Sequence, residues 1–127
     1  MIGLSESLAR ETAPFNIDVL IVEPGAFRTN FLSAIAFPEN PRTEDYRAVK
    51  AVLEKFEAMA GQQAGDPKKA AARIFEAVSG QGLAGGLKGN VLRMPLGEDC
   101  VQRFELKIKN MRDDLKAVRT AALSTSF

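Results

Sequence analysis

Few residues in this chain have the chemistry for catalysis. It has no histidine, which removes the commonest general base and the commonest metal ligand, and no metal site is expected. Tyr46 is the sole tyrosine and Cys100 the sole cysteine. Cys100 falls near a helix start with no base close in sequence, and the adjacent carboxylates Asp113 and Asp114 point along a solvated helix face rather than converging. What remains is VLIVEPGAFRTNF, residues 19–31. An apolar run stops at Glu23, Pro24 and Gly25 follow, and a small cluster closes at Thr29. This has the form of a strand that ends at a ligand, because open α/β sheets bind at the carboxyl ends of their parallel strands. Gly25 would let the backbone come close to that ligand, and the Thr29 hydroxyl both donates and accepts. Taken alone, Pro-Gly after a strand is also an ordinary turn.

The totals exclude several functions. A length of 127 residues fits one domain with a modest core. Hydrophobic residues make up 46% and charged residues 26%, a globular balance rather than a disordered one. A net charge of +1 gives no electrostatic case for nucleic acid or an anionic membrane surface. No apolar run approaches the length of a membrane span. The opening MIGLSESLARE carries charges where a signal peptide would be apolar. One cysteine forms no intrachain disulfide and suits a reducing compartment, so a cytoplasmic location is expected.

The elements that must hold the Pro-Gly stretch follow from periodicity. GLSESLARETAP reads as a helix with Leu4 and Leu8 on one face and Pro14 as its stop. It has no N-cap signal and reads as the back half of a longer helix. NIDVLIV, apolar at nearly every position, predicts a strand buried on both faces, the habit of parallel sheets. Pro38 and Pro41 break the next segment. A helix is expected from Thr43, with Thr43 as its cap and Val49, Leu53, Phe56 and Ala60 at helical spacing. Asp66 followed by Pro67 is an N-cap with proline at the first helical position, and that helix ends near Gly80. GQGLAGGLKGN predicts a flexible loop without phosphate-binding spacing. VLRMPLG predicts a short strand closed by Pro95 and Gly97. Glu98 and Asp99 then open the last helix at its positive end, where Val101, Phe104, Ile108, Met111, Leu115 and Val118 step by three and four. The order helix, strand, helix, helix, strand, helix makes the chain α/β.

Several of these pieces, in this order, resemble the short-chain dehydrogenase/reductases. GLSESLARETAPFNIDVLIVEPGAFRTNF is similar to the part just after that family's catalytic motif, and GDPKKAAARIFEAV with VLRMPLGEDCVQRF and its continuation is similar to its last helices and strand. The resemblance spans essentially the whole chain. It implies the C-terminal portion of a Rossmann-like doubly wound parallel sheet, with two strands and about four helices. It implies one incomplete domain over residues 1–127: helix, strand and nicotinamide-side loop in 1–30, a substrate-covering segment in 31–65, and the last helices and strand in 66–127. It implies an NAD(P)-dependent oxidoreductase acting on a carbonyl or alcohol, with Pro24, Gly25, Phe27 and Thr29 on the cofactor. The backbone around Phe27 would meet the nicotinamide carboxamide, and the Thr29 hydroxyl the carboxamide or pyrophosphate. Ile35, Phe37 and Phe56 suggest a small apolar substrate.

The family's Gly-rich turn and its catalytic Ser and Tyr-x-x-x-Lys have no counterpart here, so no catalytic residue is assigned, and binding of NAD(P) by this chain alone is not expected. YRAVK sets Tyr46 and Lys50 at the right spacing but in the substrate-covering segment, where it reads as structural. Two readings stand: an oxidoreductase by ancestry, or a truncated, non-catalytic relative with a structural or interaction role. Self-association is expected, since an apolar strand missing a neighbour is a template for pairing; no nucleic acid or membrane partner is expected. The first helix also generates a prediction: the coding sequence upstream of Met1 carries Tyr-x-x-x-Lys a few codons before Ile2. Sequencing that region checks it, and an unrelated upstream sequence would favour the interaction role.

Overall fold

The structure, a computed structural model, describes residues 2–35 and 47–126. It is α/β: α1 (Ile2–Thr12), β1 (Ile21–Pro24), α2 (Arg47–Met59), α3 (Pro67–Ser79), β2 (Arg93–Leu96) and α4 (Glu98–Leu123), in the order the periodicity predicts. The expected cap at Thr43 and the Tyr46 of YRAVK lie outside the described residues.

β1 and β2 pair in parallel, from Ile21 opposite Arg93 to Pro24 opposite Leu96. The ladder extends at both ends, with the Ile21 N–H on the Leu92 carbonyl at 2.7 Å and the Gly25 N–H on the Leu96 carbonyl at 2.8 Å. Parallel strands require a crossover, and α2 and α3 lie within it. Two expectations about the strands change. β1 begins at Ile21, not at residue 16, because β2 offers only four paired positions; residues 17–20 lie outside the ladder. It is also not buried on both faces: Val19 to Glu23 are half-buried, since each strand has one partner among the described residues. Pro95 lies inside β2 opposite Glu23 rather than closing it. A proline, having no N–H, is tolerated where that donor would face no partner.

α1 passes into a 3-10 turn at Ala13–Phe15 that contains Pro14, and Asn16 in the left-handed region redirects the chain toward β1. Arg93 ties α1 to the sheet, reaching Glu6 at 2.6 Å and Glu23 on β1 at 3.2 Å. The hydrogen bond to Glu6, reinforced by both negative charges against a smaller desolvation cost, raises the guanidinium pKa further. The core is thin. Among the described residues, Ala77, Ala84 and Met94 are the buried apolar ones, with Leu20, Leu87 and Leu96 packed against them. Ala84 belongs to the glycine-rich segment expected to be flexible. That segment instead turns through a 3-10 helix at Gly85–Leu87 and folds back on α3. Its anchor is the Ala84 N–H on the Glu76 carboxylate at 3.0 Å, with Arg73 on the same carboxylate at 2.6 Å.

α3 starts as its sequence predicts. The Asp66 carboxylate accepts from the Lys68 and Lys69 N–H groups at 2.8 and 3.3 Å, Pro67 follows, and Gly80 caps the far end through the Glu76 carbonyl. Since α3 carries Ala77 and the Glu76 anchor, loss of its N-cap should be felt globally. Asp66→Ala should lower stability by about 1 kcal/mol, the usual worth of such a cap, and chemical denaturation measures it.

Candidate functional site

The carboxyl ends of two adjacent parallel strands lie side by side, so whatever follows β1 must meet whatever follows β2. Here Gly25 and Ala26 meet the first turn of α4. The Ala26 N–H donates to both Asp99 carboxylate oxygens, at 3.2 and 3.1 Å. A β-carbon on Gly25 would overlap that carboxylate, so the approach requires glycine. Cys100 acts in the same place: its Sγ donates to the Glu23 carbonyl at 3.1 Å, which makes it a structural thiol at the strand end. Burial works against the charge on Asp99, but the Ala26 N–H and then the Arg103 guanidinium outweigh it, and the net effect holds its pKa below the ordinary 3.8.

The loop then crosses to the segment before α3. Phe27 forms a parallel bridge with Gly65. The Arg28 N–H donates to the Gly65 carbonyl at 2.9 Å, and the Gly65 N–H donates to the Ala26 carbonyl at 3.1 Å. In such a bridge the outer two groups come from residues 26 and 28, so the N–H and C=O of Phe27 itself point away from Gly65. Gly65 is again a close approach: a β-carbon there would sit 2.6 Å from the Phe27 ring and 2.7 Å from the Ala26 carbonyl. Arg28 adds a second tie, its Nε donating to the Gln63 carbonyl at 3.1 Å. Thr29 is exposed, and its hydroxyl accepts from the Phe31 N–H at 3.3 Å.

These turns enclose one side of a cleft of about 670 Å³. Pro24, Gly25, Phe27 and Thr29, the four residues singled out in the sequence, all line it. Phe31, Phe56 and Ile74 give it an apolar wall, and Gln63, Thr29 and Arg103 are polar groups on its surface. Phe56 reaches it from α2; Phe37 lies outside the described residues. Asp99, Gly65 and Gln63 were not apparent in the sequence as parts of this site. For Asp99 a signal existed: an acid three residues past a strand whose parallel neighbour ends in Pro-Gly lies within reach of that turn. Asp113, by contrast, pairs with Lys109 at 2.9 Å on the exposed face of α4. Among the described residues no cluster of His, Cys, Asp and Glu could hold a metal, and no helix is long and apolar enough to cross a membrane.

No protein-family model matches the chain. It is 29% identical over 104 residues to the uncharacterized oxidoreductase YusZ of Bacillus subtilis (strain 168), a match covering 76% of this chain and 33% of that protein. It is also similar to the crystal structure of a short-chain dehydrogenase from Streptomyces avermitilis, with a TM-score of 0.69 and 38% identity, over 98% of this chain and 42% of that one. The chain therefore spans a third of the curated relative and less than half of the solved one.

The lowered pKa of Asp99 fixes a pH dependence. A carboxyl whose folded pKa lies below its unfolded value contributes stability that is fully present above the unfolded value and is lost as pH falls through the folded one. The excess stability of the wild type over Asp99→Asn should therefore be constant well above pH 3.8 and shrink as the pH falls through that value and below it. Denaturation of the two proteins across that range tests this, and an excess that grows on acidification would contradict the assignment.

Proposed function

From a chain that is a partial short-chain-dehydrogenase-like protein with an oxidoreductase among its relatives, we propose that the cleft is the nicotinamide side of an NAD(P)-dependent oxidoreductase site. The observation that carries this is the bridge at Gly65. It turns the peptide groups of Phe27 away from their own ladder, with Thr29 two residues on at the same cleft. A carboxamide needs one donor and one acceptor held rigidly side by side, and an amide backbone at such a turn offers both. Short-chain dehydrogenases generally bind NAD or NADP, and the bound nicotinamide supplies or accepts the hydride. The apolar wall of Phe31, Phe56 and Ile74 suits a small apolar carbonyl or alcohol beside that ring, and residues 31–65 would cover it.

The fit ends at the nicotinamide. The sequence has no Gly-rich turn for a pyrophosphate, and the Ala26 amide is already taken by the Asp99 carboxylate, whose negative charge disfavours phosphate there. Among the described residues no Ser and Tyr-x-x-x-Lys constellation lines the cleft, and on this reading the described part of the chain supplies a wall of the site. The exposed apolar face of α4 favours the second reading, a non-catalytic relative with a structural or interaction role. Under either reading the chain self-associates, and a cytoplasmic location suits its single cysteine.

Titration with NADPH and with NADH, followed by calorimetry and by backbone amide resonances, tests the proposal. The amides from Gly25 to Thr29 should shift at millimolar cofactor with no saturation at micromolar concentrations. Micromolar affinity would mean that the chain holds the pyrophosphate by other residues, and unmoved loop amides would remove the loop from the site.

A further inference from the structure

Beyond Phe104 every described residue of α4 is exposed, although the helix continues to Leu123. Apart from Leu106 and Leu123, its large apolar residues form one line. Val101, Phe104, Ile108, Met111, Leu115 and Val118 alternate steps of three and four, the a and d positions of a heptad seam. All but the half-buried Phe104 are exposed, between 41% and 58%. We propose that this seam pairs with the α4 seam of a second copy of the chain, antiparallel and in one register. The proposal does not rest on the cofactor reading.

The charges beside the seam choose the occupant and the register. In an antiparallel pair that sets Val101 against Val118, Phe104 against Leu115 and Ile108 against Met111, the flanking residues that face each other are Glu98 with Arg119, Glu105 with Arg112, and Lys107 with Asp114. Each pair has opposite signs, and the two-fold axis makes each of them twice. Sliding by one heptad in one direction sets Glu105 against its own copy and Lys107 against its own copy. Sliding in the other direction does the same to Arg112 and to Asp114. A parallel pair sets Lys107 against Arg112 and Asp114 against Arg119, one repulsion and one attraction that cancel, where the antiparallel register has three attractions. A seam meant for an unrelated helix would not need to complement itself in this way.

Of these charges Glu98 accepts from the Gln102 side chain at 3.3 Å; the others are available. Glu105, Lys107, Arg112, Asp114 and Arg119 make no ion pair or side-chain hydrogen bond among the described residues. The ion pairs that α4 does make internally, Asp99 with Arg103 and Lys109 with Asp113, use positions away from the seam and its flanks. Helix-on-helix pairing of this kind is distinct from pairing through the open sheet edge, which would not involve these residues.

Charge reversal tests the register. Glu105→Arg and Arg112→Glu should each raise the dimer Kd about tenfold in sedimentation equilibrium, by turning two attractions into two repulsions. The double variant should return it to within a few-fold of the wild type. The two residues lie two turns apart on one helix, too far to compensate each other within a chain, so rescue can only come from the second copy. Far-UV circular dichroism confirms that the helix is intact in each variant. In a Cys100→Ser background, spin labels at Thr120→Cys should be offset by about 31 Å along the helix axis if the pair is antiparallel, and level with each other if it is parallel. A monomeric chain, a Kd indifferent to both reversals, absence of rescue, or labels at level height would each overturn the proposal.

Discussion

The contact between the Asp99 carboxylate and the Ala26 amide joins the carboxyl ends of the two strands, and the site depends on it. One side chain closes the gap between the strand that carries Pro24 and the helix that follows β2. A negative charge at the first turn of a long helix is favoured by the helix dipole, and the same charge is held by an amide and a guanidinium. The cost of burying it is therefore met locally, without a buried cation from elsewhere. Because the carboxylate occupies the space beside Gly25, the turn cannot drift, and the next residues are delivered to Gly65. Two close approaches, at Gly25 and at Gly65, thus fix the backbone of Phe27 from both sides.

The opposite face of the sheet is organised by a different charge. Arg93 holds Glu6 of α1 and Glu23 of β1 together, so one guanidinium spans three elements. With few buried apolar groups available, such polar ties decide where the elements sit more than packing does. The same holds for the glycine-rich segment, where Glu76 reaches the Ala84 amide while Arg73 balances it. In this chain electrostatic ties set geometry, and the small core of Ala77, Ala84 and Met94 seals it.

The elements whose signals are local were legible in the sequence. Asp66-Pro67 marked the start of α3 and Gly80 its end, because caps act within four residues. The element order and the parallel α/β class followed from periodicity. What depended on distant partners was not legible. The length of β1 is set by β2, seventy residues on, so its apolar run overstated it. The glycine-rich segment looked unstructured because its anchor, Glu76, lies in another element. The turn at Pro24 and Gly25 was visible as a turn, while its partner Asp99 read only as a helix-start acid. A short motif shows where a chain bends; the far residue that holds the bend appears only when strand order is known.

The thin core, the open cleft and the bare seam of α4 are linked. Stability scales with apolar area removed from water, and this chain keeps much of its apolar area exposed: Phe56 and Met59 at the cleft, and Ile108, Met111, Leu115 and Val118 along α4. Anything that binds the folded form and covers those surfaces adds its binding free energy to folding. The two surfaces differ in what they favour. The cleft is framed by two close backbone approaches and lined with a few polar groups, which suits a small ligand with a defined hydrogen-bonding edge. The seam is long, regular and flanked by charges of both signs, which suits another helix. Folding is therefore linked to whatever covers either surface, and α4, which supplies Asp99 to the loop and carries the exposed seam, is the element common to both.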